Sequence, residues 1–195
     1  MLELQRVYVS NDAIADETLM LRFIEGDAQA FEALYARHKG GVYRYFTRQC
    51  RQAIAEELFQ DVWMRLVASS GSYRVEARFT TFLYRIAHNR LVDHFRSVGR
   101  RPETTVGDDE AGLLENESDL ESAPDIQASR HELANQLKHC LDELSDPQRE
   151  AFLLREEGGL GLEEIAQATN VGRETAKSRL RYAISSLRRC LERLS

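Results

Sequence analysis

Cysteine and proline are scarce in this chain, with three of each in 195 residues, and tryptophan occurs once. The cysteines, Cys50, Cys140 and Cys190, are odd in number and show no CxxC or Cys/His ligand spacing. That pattern suits a reducing compartment and idle, buried thiols better than a disulfide framework or a metal site. His139 beside Cys140 does not supply a site, because adjacent helical residues point about 100° apart and a matching second pair is missing. No stretch approaches the roughly 20 apolar residues that cross a bilayer. Nor does the N-terminus show a basic start, an apolar core and a small-residue cleavage site. A cytoplasmic protein without direct membrane insertion is expected. Strand alternation is missing too, as are a phosphate-cradling glycine loop, an activated nucleophile and paired acids in a cleft. Neither an enzyme nor a cofactor is therefore expected.

What the chain does have is unevenly placed charge. Its formal net charge is -6, with a pI near 5.5, which argues against indiscriminate nucleic-acid binding. Yet Pro102 to Gln127 holds nine Asp/Glu and no Lys or Arg, so the remainder carries 26 basic residues against 23 acidic. Pro102 and Pro124 bracket that segment, and it lacks a sustained apolar period. It reads as a flexible, self-repelling linker, 102–128, between a domain at 12–101 and another at 129–195.

Both flanks have helical periodicity, so the expected class is all-α, with two small helical domains. Gly26 and Asp27 stop one helix and cap the next, where Phe31, Leu34, Tyr35, Val42 and Phe46 recur near helical spacing. Gly40 and Gly41 fall inside that pattern and allow a kink. Leu58, Val62 and Leu66 line the following helix, and Phe79, Leu83, Ala87, Leu91 and Phe95 repeat every four residues on the next.

In the second flank, Leu133, Leu137, Leu141 and Leu144 share one helix side, and Pro147 ends or restarts it. The stretch "LEEIAQATNVGRETAKSRLRYAISSLRR" then has the spacing of a helix-turn-helix. Ala166 is small where two helices cross, Asn170 tolerates the left-handed turn, and Val171 plugs it. Ala176, Leu180, Ile184, Leu187 and Leu191 are expected to seat the last helix, leaving Arg173, Lys177, Arg181 and Arg188 within one quadrant. From Arg173 to Arg193 there are seven Lys/Arg against two Glu, a basic face suited to a DNA groove.

Four blocks carry a family resemblance: "ETLMLRFIEGDAQAFEALYARHKGGVYRYF", "AEELFQDVWMRL", "FTTFLYRIAHNRLVDHFRSVGRR" and "LDELSDPQREAFLLREEGGLGLEEIAQATNVGRETAKSRL". In this order, around an acidic linker, they resemble the extracytoplasmic-function sigma factors of bacterial RNA polymerase, over Asp16 to Arg101 and Ser129 to Arg193. The resemblance implies an alternative sigma factor whose partners are core RNA polymerase and promoter DNA; anti-sigma partners are common in the family. It assigns Glu57, Gln60, Asp61 and Trp63 to docking on the polymerase, a mixture of acid, amide and aromatic that suits protein better than DNA. An ordinary amphipathic helix with Trp63 partly in the core is the other reading.

Tyr73, Arg74, Arg78, Tyr84, Asn89, Asp93 and Arg96 fall where the family captures melted minus-ten DNA, and rings interleaved with cations suit unpaired bases. Phe79 and Phe82 stand in the same segment but also belong to the apolar stripe. Arg173, Thr175, Lys177, Ser178, Arg179 and Arg181 are the expected minus-thirty-five contacts. Gly172, Glu174 and Tyr182 depart from the family's usual residues, and Gly161 makes a weak helix cap. A DNA-binding regulator that works without polymerase, and a helical adaptor protein, are the alternatives.

Overall fold

The computed structural model describes residues 14–99 and 124–194, with side chains of the second stretch from 132 onward. The acidic segment 102–123 therefore lies outside the described residues. The elements are α1 (Asp16–Ile24), α2 (Ala28–Thr47), α3 (Gln52–Ser69), a 3-10 turn (Ser70–Ser72), α4 (Phe79–Ser97), α5 (Pro124–Asp142), α6 (Asp146–Glu156), α7 (Leu162–Ala168) and α8 (Arg173–Leu194). Among the described residues there is no strand. Helix α5 begins at Pro124, inside the stretch expected to be linker, and proline suits a first helical position because its missing N–H is not needed there.

Helices α1 to α4 pack around Leu19, Met20, Leu34, Val42, Phe46, Leu58, Leu66, Phe79 and Leu83, all essentially inaccessible. Gly26 at φ +100° ends α1, and the Asp27 carboxylate accepts from the N–H groups of Gln29 and Ala30 to start α2, as the sequence predicts. Asp16 ties the two helices together, at 2.5 Å from Arg37 and 2.7 Å from His38. Burial alone would raise its carboxyl, but hydrogen bonds from His38 and Arg37 hold it below the usual range.

Helices α5 to α8 enclose Leu141, Leu144, Leu153, Leu154, Ile165, Ala176 and Leu187. The buried seam of α8 is Ala176, Leu180, Ala183, Leu187 and Cys190, whereas the expected Ile184 is 44% exposed. Steps of four drift about 40° per turn, and alternating fours and threes keep one side inward. Leu133, expected on the apolar side of α5, is also exposed. Arg149 is buried, donating to the carbonyls of Leu141 (2.8 Å), Asp142 and Leu144 (both 3.3 Å), so it caps the free end of α5.

Two expectations change at the cysteines and glycines. Cys140 and Cys190 form a disulfide between α5 and α8, with Cα atoms 5.6 Å apart, not a pair of idle thiols. Fifty residues separate them, so only the packing of the two helices relates them. Cys50 stays free and buried, and burial pushes its thiol up to about 12. Because the thiolate is the reactive form, iodoacetamide at mildly alkaline pH is expected to leave Cys50 unmodified in native protein. Peptide mass spectrometry should find it alkylated only after denaturation.

Helix α2 runs without a break through Gly40 and Gly41. Gly41 serves a close approach instead: a Cβ there would lie 2.7 Å from the Glu157 carbonyl oxygen and 2.8 Å from the Tyr84 hydroxyl. At this point the two halves of the chain meet. Glu157, with its side chain 6% exposed, accepts from Arg44 at 2.7 Å and from Arg48. Tyr84 donates to the Glu157 carbonyl at 2.9 Å. Glu150 accepts from Tyr45 at 2.7 Å and lies 2.6 Å from His88. Glu164 of α7 reaches Thr81 at 3.3 Å and Arg78 at 3.6 Å.

Candidate nucleic-acid interface

The helix-turn-helix is built by its turn. Asn170 takes φ 51°, a left-handed conformation that a short polar side chain tolerates, and the Val171 N–H bonds to the Ala166 carbonyl at 3.0 Å. Val171 packs partly against the core. Gly161 offers no side chain to cap α7, so Glu164 compensates by accepting from the Gly161 N–H at 2.7 Å.

With the seam of α8 buried, Arg173, Thr175, Lys177 and Arg181 are exposed and Ser178 and Arg179 half-buried. Arg173 lies 2.6 Å from Glu163, and Lys177 3.5 Å from Glu174. Pairs this exposed contribute only about 0–1 kcal/mol, so these cations remain free to exchange a carboxylate for a phosphate. Tyr182, half exposed beneath the Arg181 guanidinium at 5.0 Å, is an aromatic surface that the sequence reading did not count among the contacts. Its position beside an arginine on the basic face was the available signal.

The second candidate surface follows α4 and the loop before it. Arg74, Arg78, Asn89, Asp93 and Arg96 are exposed, and 89, 93 and 96 share one face of α4. Tyr73 and Tyr84 differ from expectation because neither offers a ring face in this arrangement. Tyr73 is 3% exposed, packed on Phe82 with ring centroids 5.2 Å apart, and donates to the Ala77 carbonyl. Burial, with Glu17 and Asp16 nearby, pushes its hydroxyl up to about 12. Tyr84 is 1% exposed and lies under the turn that follows α6. Phe79 and Phe82 are core residues.

On α3, Glu57 and Gln60 are exposed, while Asp61 is half-buried and paired with Arg90. Trp63 is internal, among Tyr35, Phe31 and Phe59 at 4.8, 6.1 and 6.2 Å. Met64 is 69% exposed on the same outer face, and sequence reasoning missed it. A methionine one turn beyond Gln60, off the Leu58, Val62 and Leu66 stripe, could have revealed it.

Known proteins agree on the fold and the family. Residues 34–101 match the family described as Sigma-70 region 2, and residues 134–187 match Sigma-70, region 4. The chain is 29% identical to the RNA polymerase sigma-H factor of Pseudomonas aeruginosa over 184 residues, covering 92% of this chain and 95% of that protein. It is 30% identical to the ECF RNA polymerase sigma factor SigK of a Mycobacterium species over 177 residues, or 90% of each chain. The solved structure of the sigma factor RpoE in complex with the anti-sigma factor NepR, from Bartonella quintana, superposes with a TM-score of 0.62 at 20% identity, covering 83% of this chain and 96% of that one. With the helix-turn-helix and both matched regions in one order along one chain, this protein belongs to the extracytoplasmic-function family of RNA polymerase sigma factors.

Proposed function

We infer that the chain is an alternative sigma factor that binds core RNA polymerase and directs it to a subset of promoters, in the cytoplasm. The observation that carries the reading is the exposed cation face of α8, presented by an Asn170 turn, on the chain that also holds the region 2 helices. Residues 129–195 read minus-thirty-five DNA in the major groove: Lys177 and Arg181 suit guanine N7 and O6, and Thr175 and Ser178 suit phosphates or base edges. Residues 12–101 dock on the polymerase through the outer face of α3 and receive melted minus-ten DNA along Arg74, Arg78, Asn89, Asp93 and Arg96. The acidic segment joins the two. An anti-sigma partner is part of this proposal, by analogy with the Bartonella quintana protein.

Copurification with core polymerase tests the reading. Wild type is expected to be retained, and retention by DNA alone would favour a regulator that acts without polymerase. Loss of both, with capture by an acidic protein, would favour an adaptor. Within the interface, Gln60→Ala with Met64→Asp is expected to weaken core binding by about tenfold or more without changing stability, because both side chains are exposed. Competition against a second sigma factor measures it, and equal affinity would remove the outer face of α3 as the docking surface.

A further inference from the structure

Sequence spacing gives no ligand cluster around His139, but the fold assembles one. His139 and Cys140 lie in the last turn of α5, Glu143 directly follows that helix, and Cys190 reaches them from α8. The ligand atoms of His139, Glu143 and Cys190 all lie within 4.8 Å of one another, and His139 Nε2 is 3.6 Å from Glu143 Oε1. The Cys140 sulfur is bonded to that of Cys190 and so adjoins this cluster. Both cysteines are buried, whereas the imidazole and carboxylate stand at the rim with 62% and 42% exposure.

We propose that the reduced thiols of Cys140 and Cys190, with His139 and Glu143, form a site for a thiophilic divalent cation of the zinc type. The chemistry favours it over calcium or magnesium, because two sulfurs and an imidazole are poor ligands for hard cations. Tetrahedral zinc has Zn–S near 2.3 Å and Zn–N near 2.0 Å, which puts neighbouring ligand atoms roughly 3.5 Å apart. The two sulfurs separate to that spacing once the disulfide opens, and rotation of the exposed His139 and Glu143 brings the other two in.

Disulfide and metal use the same sulfurs and exclude each other. A dithiol reductant delivers two electrons and two protons to the disulfide and is itself oxidised to a disulfide, leaving two thiols. The cation then displaces both thiol protons to solvent. Arg193 is the competitor for Glu143: it donates to both carboxylate oxygens at 2.9 and 2.7 Å, but at 65% exposure it is free to swing away. A loaded site would tie α5 to the end of α8 opposite Lys177 and Arg181.

Cobalt(II) titration of the phosphine-reduced full chain, without oxygen, tests it. A single equivalent is expected to give thiolate-to-cobalt charge transfer and the visible bands of a tetrahedral site, and zinc should bleach both. The disulfide form should bind none, and oxidation by diamide should release the ion. His139→Ala and Glu143→Gln, at exposed positions that leave the fold intact, should each weaken binding by about tenfold or more, and Arg193→Ala should tighten it. No tetrahedral thiolate bands in the reduced wild type would overturn the proposal. So would equal binding by the oxidised form, or unchanged affinity in both the His139 and Glu143 variants.

Discussion

Trp63→Ala is expected to destabilise the protein by about 3–5 kcal/mol, as for other large buried aromatics. The side chain is 6% exposed and meets Tyr35, Phe31 and Phe59 through ring edges, so truncation opens a cavity where α2 and α3 join. Its Nε1 is buried without a hydrogen-bond partner. Phenylalanine removes that unsatisfied donor and keeps most of the volume, so Trp63→Phe is expected to cost under about 1.5 kcal/mol. Urea unfolding separates the two variants. Any loss of polymerase binding in Trp63→Ala should follow its stability and be restored by phenylalanine. A variant that unfolds like wild type but fails to bind would instead make Trp63 a docking residue.

The second large effect concerns Gly41, and its sign is informative. In an isolated helix, alanine is better than glycine by about 1 kcal/mol, so Gly41→Ala would stabilise α2 if the two halves stood apart. In the closed arrangement the added carbon meets the Glu157 backbone oxygen at 2.7 Å, which no side-chain rotation relieves. Overpacking of this kind costs about 1–3 kcal/mol, and Gly41→Val belongs at the upper end. Much of the contact is polar, with Arg44 and Arg48 on Glu157 and Tyr45 and His88 on Glu150, so separation of the halves is the cheaper response. Small-angle scattering on Gly41→Val is expected to show a larger radius of gyration, with Tyr84 open to quenchers. An unchanged radius with raised stability would mean that the two halves do not pack this way in solution.

The elements legible in the sequence are those set by near neighbours. The Gly26 and Asp27 junction, the Asn170 turn and the stripe of α4 follow from local backbone preference and from periodicity, and the structure has them where they were expected. What was not legible depends on which helices touch. The disulfide joins positions 50 residues apart, Arg149 is buried within an otherwise polar run, and Gly41 faces a carbonyl from the other half of the chain. Tyr73 and Tyr84 read as exposed platforms because rings interleaved with arginines look alike whether they face water or a neighbouring helix. The α8 seam was half legible: Ala176, Leu180 and Leu187 were in the expected register, but Ala183 and Cys190 replaced Ile184 because the inward side follows steps of three as well as four.

The cation face of α8 and its dependence on polymerase form the centre of the account, and one experiment addresses both. Run-off transcription from a pool of randomised promoters, with core polymerase and the full chain, is expected to enrich templates that share a minus-thirty-five and a minus-ten element at constant spacing. Lys177→Ala or Arg181→Ala is expected to relax preference at single minus-thirty-five positions by about 1–3 kcal/mol where the side chain reads a base. A cation that touches only phosphate would instead weaken all templates alike and lower the salt slope by about one unit. Transcripts that require the added chain, with minus-thirty-five preference altered by these two variants, are the predicted result. Template choice and salt dependence unaffected by either substitution, or no transcript from core polymerase with the chain present, would contradict it.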